Sequence, residues 1–209
     1  MNRLTIAIPT FRRPQDLKRA VRGVLEQAGE LVGGLSAEAR EPEGDSAGAA
    51  DGDGGARRGV SDVEVLVIDN DAQGTGREAA LAAAADAGVP VRSSAEGADE
   101  PEAVGLRYVV EEKPGVAAVR NRALDETGGR DLLVFIDDDE EPEPGWLAAL
   151  VGLQASTGCQ AVAGPVIPVY EVEPEEWVRQ GEFFVRRTWP TGTVRPVAAS
   201  NCLLLDLGF

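Results

Sequence analysis

Histidine is absent from the 209 residues of this sequence. Without it neither a Ser/His hydrolase nor a His-ligated zinc centre can be built. Cysteine is nearly as scarce, since Cys159 and Cys202 stand far apart and form no C-x-x-C pair. A thiol redox motif and a disulfide framework are thereby excluded, and a reducing compartment fits best. Long apolar runs are missing as well. The opening MNRLTIAIPTF carries too short an apolar run for a signal peptide, and no stretch reaches the length of a membrane span. The expectation is a cytoplasmic chain without a spanning segment. Positive charge is in deficit, with 20 Lys and Arg against 36 Asp and Glu and a formal net charge of -16. Such a surface repels nucleic acid and anionic headgroups except where basic residues cluster, so no nucleic-acid partner is expected.

What is present alternates between strand and helix patterns. LTIAI (4 to 8) is a buried strand closed by Pro9, and Leu17, Val21, Val24 and Leu25 recur at helical spacing across 14 to 28, with Pro14 in the first turn. VEVLVI (63 to 68) reads as a second strand ending at DND, and the Ala-rich 76 to 88 as a helix with a glycine stop. LRYVV (106 to 110), a helix over 115 to 129 and DLLVFI (131 to 136) complete the pattern. Short apolar strands separated by helices predict an α/β fold with a mostly parallel sheet covered on both faces. Ligands of such sheets bind beyond the carboxyl ends of the strands, which is where PTF, DND and DDD all fall. The whole chain, 1 to 209, reads as a single domain. Two Gly-, Ala- and acid-rich stretches, 33 to 60 and 93 to 104, have too few large apolar side chains to offset ordering and read as disordered insertions.

The stretch FIDDDEEP (135 to 142) sets five carboxylates in a row behind an apolar strand. Their mutual repulsion calls for a cation. A hard divalent ion, Mg²⁺ or Mn²⁺, suits carboxylates that share it with a substrate diphosphate. A solvated turn ahead of the helix in PGWLAAL explains the glutamates as well. It does not explain three aspartates abutting a buried strand.

The ordered series IAIPTFRR, VLVIDND, KPGVAAVRNRAL, FIDDDEEPEPGWL, VAGPV and AASNCLLL resembles the nucleotide-sugar half of a family 2 glycosyltransferase with the GT-A fold. FIDDDE-P---WL followed by GPV-P is most similar to bacterial exopolysaccharide enzymes of the succinoglycan type. The insertions apart, the resemblance covers nearly the whole chain. It implies that Pro9, Thr10 and Phe11 hold a uracil base, with Phe11 stacking on it; a lone Phe plugging the core is the commoner alternative. Asp69 and Asn70 match an acidic pair that reads the base, with Asn70 offering its side-chain carbonyl to the uracil N3–H. An Asx turn closing the strand is the other use of those residues. Arg120 and Asn121 match a pair facing the nucleotide, Arg120 being either a diphosphate ligand or a structural partner of the acidic loop. Asp139 is implied as the metal ligand, with Asp137 and Asp138 directed to the ribose or, through water, to the metal.

The implied chemistry is inverting displacement at an anomeric carbon, with a UDP-sugar as donor, Mn²⁺ or Mg²⁺ as cofactor and a saccharide or lipid-linked saccharide as acceptor. The family's general base lies after the SN-L strand, whereas this sequence ends at LLLDLGF. The catalytic base is therefore unassigned, and DLGF resembles a family turn cut in half, as in a truncated frame. Residues 173 to 192 combine Trp177, Phe183, Phe184 and Trp189 with Arg179, Arg186 and Arg187. They read as an amphipathic flap packing on its own domain, with a sugar or anionic-lipid acceptor site as the second use. Peripheral association with the inner face of the cell membrane follows from a lipid-linked acceptor. Two alternatives stay open. One is a nucleotide-sugar-binding remnant lacking its base; the other, more distant, is a nucleotidyltransferase, which PTFRRP opposes by lacking the glycines of a triphosphate loop.

Overall fold

The computed structural model describes residues 2 to 38, 59 to 93 and 103 to 208, with side chains described to residue 34 in the first segment. Its elements in chain order are β1 (Asn2–Thr10), α1 (Pro14–Glu38), β2 (Val60–Asp69), α2 (Arg77–Asp86), β3 (Val91–Arg92), β4 (Val104–Val110), α3 (Val116–Glu126), β5 (Leu132–Phe135), α4 (Trp146–Thr157), β6 (Ala161–Ala163), α5 (Glu176–Gly181) and β7 (Leu203–Asp206). The strands form one sheet in the order β3-β4-β2-β1-β5-β7-β6. From β3 to β5 every pairing is parallel. Only β7, against β5 and β6, runs antiparallel.

Both faces of the sheet are covered, which is why its central strands read as nearly unbroken apolar runs. Leu4, Ile6 and Ile8 of β1 pack with Val63, Val65 and Val67 of β2 beneath Leu17, Val21 and Val24 of α1. Alternate residues serve the opposite face, where Ala7, Leu66, Ile68 and Phe135 pack with Val119 and Ala123 of α3. The period of two along a strand thus builds two cores from one sequence run. Glu64, the polar interruption in β2, is buried and bonded in bidentate fashion by Arg107 of β4 at 2.9 and 3.1 Å. Arg107 also reaches Glu126 and ties the end of α3 to the sheet.

Three expectations change. The helix read over 14 to 28 continues to Glu38, so residues 33 to 38 of the expected first insertion are helical and Val60 already belongs to β2. Gly33 and Gly34, read as the onset of a linker, are tolerated because helix propensity is a weak prior and a packed apolar stripe overrides it. Residues 39 to 58 and 94 to 102 lie outside the described residues, while Val104 at the edge of the second stretch is in β4. The third change concerns the aromatic flap. Instead of packing on the domain it stands out from it, with Trp177, Phe183 and Phe184 respectively 63%, 65% and 59% exposed. Its contacts include its own rings, Trp177 against Phe183 and Tyr170 against Phe184, with the Arg195 guanidinium 4.3 Å from the centre of the Trp189 ring. They also include ion pairs of Arg179 with Glu173 and Glu176, and Arg186, whose charge acts on Asp137 of the acidic loop. Its short helix buries no residue, since it has no apolar stripe that meets the sheet.

Candidate active site

Parallel pairing of β1 with β2 and β5 delivers their carboxyl ends to one edge, and each strand there runs directly into a polar loop. After β1 come Phe11, Arg12 and Arg13. Arg12 has a positive φ of 56°, a conformation that costs a non-glycine residue about 1 kcal/mol or more. The kink sends consecutive arginines apart. The Arg12 Nε donates to Asp71 Oδ2 at 3.2 Å and its guanidinium lies 4.9 Å from the Phe11 ring centre. Arg13 Nη1 donates to Asp139 Oδ2 at 2.6 Å and approaches Asp138 Oδ1 at 3.5 Å. Phe11 is half exposed and so is no core plug.

The loop after β2 is held from within. Asp69 is fully buried, and its Oδ1 accepts the Asp71 N–H at 2.9 Å, the Asx turn that its position allowed. Its Oδ2 accepts the Gly76 N–H at 2.8 Å and the Tyr108 hydroxyl at 2.5 Å. Gly76 leaves room here, since a Cβ would lie 2.9 Å from Leu17 Cδ2 and 3.0 Å from the same Asp69 oxygen. Burial, followed by the Asp69 carboxylate, drives the Tyr108 phenol well above its ordinary pKa and keeps it a donor. Asn70 donates from Nδ2 to the Glu111 and Lys113 carbonyls, both at 2.8 Å, and its Oδ1 accepts the Gly115 N–H at 2.8 Å. The carbonyl expected to face a uracil therefore fastens the amino end of α3. The Asn70 N–H to Thr10 carbonyl bond, 2.9 Å, locks the two loops together beyond the sheet.

The acidic loop after β5 rests on α1, where Gly23 leaves room for Pro142; a Cβ there would lie 3.0 Å from the proline Cδ. Its three aspartates have different fates. Asp138 points inward, is buried and accepts the Thr10 hydroxyl at 2.7 Å. Asp137 accepts from Arg120 Nη2 at 3.1 Å. Asp139 is 55% exposed at its side chain and holds only Arg13 among the described residues. Burial raises the pKa of Asp137 and of Asp138; Arg120 opposes this at Asp137, and the Thr10 hydroxyl and Arg13 oppose it at Asp138. Arg120 is bonded to the acidic loop: besides Asp137 it donates to the Ser200 carbonyl and lies 5.1 Å from the Phe135 ring centre. Asn121, next to it on α3, is exposed, and Pro9 is half-buried at the penultimate position of β1. Sequence reasoning missed Arg13, Tyr108 and Asn201; the FRR pair after PTF was the available signal for the first.

Glu140 closes the loop on itself, its Oε2 accepting the Asp137 N–H at 3.1 Å while Oε1 accepts from Asn201. Burial above all, then Asp137, raises its pKa from 4.5 to about 6. An acid raised on folding adds stability at low pH and loses it as pH climbs from 4.5 through about 6. We expect Glu140→Gln, which keeps an acceptor for the Asp137 N–H, to gain about 1 kcal/mol on the wild type between about pH 5 and about pH 7.5. Urea unfolding across that range checks it, and a difference that does not move with pH contradicts the assignment.

Among the described residues no three His, Cys, Asp or Glu side chains are arranged to hold a metal by themselves. The available donors are hard carboxylate oxygens on Asp137 and Asp139, both partly exposed. Mg²⁺ and Mn²⁺ commonly take one or two carboxylates and complete their shell with phosphate oxygens and water. The donor set therefore fits a cation shared with a phosphate-bearing ligand.

Comparison with known proteins gives three findings. A family model described as glycosyl transferase family 2 matches residues 56–201. The succinoglycan biosynthesis protein ExoM of Rhizobium meliloti (strain 1021) is 33% identical over 143 residues, which are 68% of this chain and 41% of that protein. The crystal structure of M. tuberculosis glucosyl-3-phosphoglycerate synthase is similar with a TM-score of 0.50 at 16% identity, over 98% of this chain and 57% of that one. The chain thus spans less than half the length of ExoM and somewhat more than half that of the synthase.

Proposed function

This chain belongs to glycosyl transferase family 2, and from that membership we propose that it binds a nucleotide-sugar donor, a UDP-sugar, for inverting transfer to a saccharide acceptor. The observation that carries the reading is the meeting of Phe11, the Asp137 to Glu140 turn and Arg120 at the carboxyl edge of one parallel sheet. Phe11 offers an exposed ring for the base. Asp69 and Asn70 act by shaping the loop beside it, and Thr10 acts by fixing Asp138. Asp139 with Asp137 would hold Mn²⁺ or Mg²⁺, which when bound supplies neutralisation of the charge on the departing diphosphate. Arg120, already fixed against Asp137, borders the same space, and Asn121 follows it on α3 with its side chain exposed.

In the transfer, the bond from the anomeric carbon to the diphosphate oxygen breaks as the acceptor oxygen bonds to the opposite face of that carbon. The acceptor's hydroxyl proton passes to a general base; no residue of this chain is assigned that part. Identity to ExoM, a succinoglycan biosynthesis protein, supports a saccharide acceptor; that the acceptor is lipid-linked and met at the inner membrane face is part of the proposal. None of the described helices is long and apolar enough to cross a membrane.

Calorimetric titration of UDP into the chain, with Mn²⁺ and then with EDTA, tests the donor site directly. Metal-dependent binding is expected, and no binding under either condition would falsify the reading. A donor-hydrolysis assay on the same sample separates an enzyme from a binding unit without turnover.

A further inference from the structure

Arg13 is anchored at its backbone and exposed at its tip. Its carbonyl accepts the Leu17 N–H at 2.9 Å at the start of α1, so the Cα is fixed beside the acidic loop. Its side chain is half exposed, and its partners among the described residues are Asp139, at 2.6 Å, and Asp138, at 3.5 Å. The neighbouring cation Arg120 differs on every count: its side chain is mostly covered, it donates to a backbone carbonyl as well as to Asp137, and it lies on an aromatic ring. Of the two, only Arg13 can let go of its carboxylate by rotating into solvent. A guanidinium on Asp139 and a divalent cation on the same carboxylate repel each other strongly across so short a span.

We infer that Arg13 is the chain's internal counter-cation: it neutralises Asp139 in the unliganded protein, releases it when Asp139 coordinates metal, and then acts as a positioning residue for the donor diphosphate. The inference rests on the donor-site reading above. Two effects of opposite sign follow from removing the guanidinium. Asp139 becomes easier for a metal to claim, because no cation has to leave. The diphosphate loses a charged donor whose planar fork matches paired phosphate oxygens.

The test compares the wild type with Arg13→Gln and Arg13→Lys. Binding of Mn²⁺ alone is followed by the loss of the free-ion paramagnetic resonance signal, and binding of UDP at saturating Mn²⁺ by calorimetry. Arg13→Gln is expected to bind Mn²⁺ alone about two- to fivefold more tightly, the scale of an exposed ion pair. It is expected to bind UDP about tenfold more weakly. Arg13→Lys, which keeps the charge but not the fork, should lie between the two proteins in both assays. A residue that merely packs the loop would shift both affinities in the same direction. Should the wild type bind Mn²⁺ and UDP while Arg13→Gln shows unchanged or weaker Mn²⁺ affinity, or unchanged UDP affinity, the role of Arg13 fails and the donor site stands. If neither protein takes up Mn²⁺ or UDP, both fall together.

Discussion

Asp69→Ala is expected to cost about 3–5 kcal/mol of folding stability, the largest loss from any single change at the edge of the site. The carboxylate is fully buried and takes three donors: the Asp71 and Gly76 N–H groups and the Tyr108 hydroxyl. Alanine removes the acceptors without supplying others, and each stranded donor costs about 1–3 kcal/mol when water cannot reach it. In a chain of this size the loss should lower the thermal midpoint by about 10 °C. Asp69→Asn keeps one acceptor oxygen and the volume, and should recover part of the loss. Tyr108→Phe deletes a single bond and should cost about 1 kcal/mol. Urea unfolding of the three variants orders them; a loss below about 1 kcal/mol for Asp69→Ala would contradict a structural hub at this position.

That role illustrates what could and could not be read from the sequence. The DND tripeptide offered two uses, base reading or an Asx turn, and local pattern supports both. What weights the structure toward the turn is Tyr108, 39 residues away in sequence and brought beside Asp69 by the β2–β4 pairing. Long-range partners of that kind leave no local trace. The central strands were legible because burial on both faces demands continuous apolar residues, as in LTIAI and VEVLVI. β3 was not, being two residues long with Val91 half exposed. β6 and β7 have ordinary short apolar patterns and surfaced only through the family segments VAGPV and AASNCLLL. Gly33 and Gly34 hid the last turns of α1, since glycine is weighed by propensity in a sequence and by packing in a fold.

The acidic turn was visible as charge, but the division of labour within it was not. Asp138 and Asp139 are neighbours with the same chemistry, yet one is buried on Thr10 and the other half exposed on Arg13. The turn after β5 sends the two side chains opposite ways, one under the loop and one into solvent, so adjacent substitutions should separate stability from binding. Asp139→Ala is expected to leave the unfolding midpoint nearly unchanged, because an exposed pair such as that with Arg13 contributes about 0–1 kcal/mol. The same change should weaken Mn²⁺-dependent UDP binding by about 100-fold or more, since it removes the most accessible carboxylate ligand from a shell in which the protein supplies only one or two. Asp138→Ala should behave the other way at the level of the fold, losing about 2 kcal/mol as the Thr10 hydroxyl is stranded beneath the loop. Calorimetry with Mn²⁺ and with EDTA, beside a thermal melt of each variant, measures both quantities on the same preparations. Wild-type UDP affinity in Asp139→Ala would remove that residue from the metal site. A melt for Asp138→Ala that matches the wild type would show that the Thr10 contact does not hold the loop, and that the inward aspartate is free for the ligand.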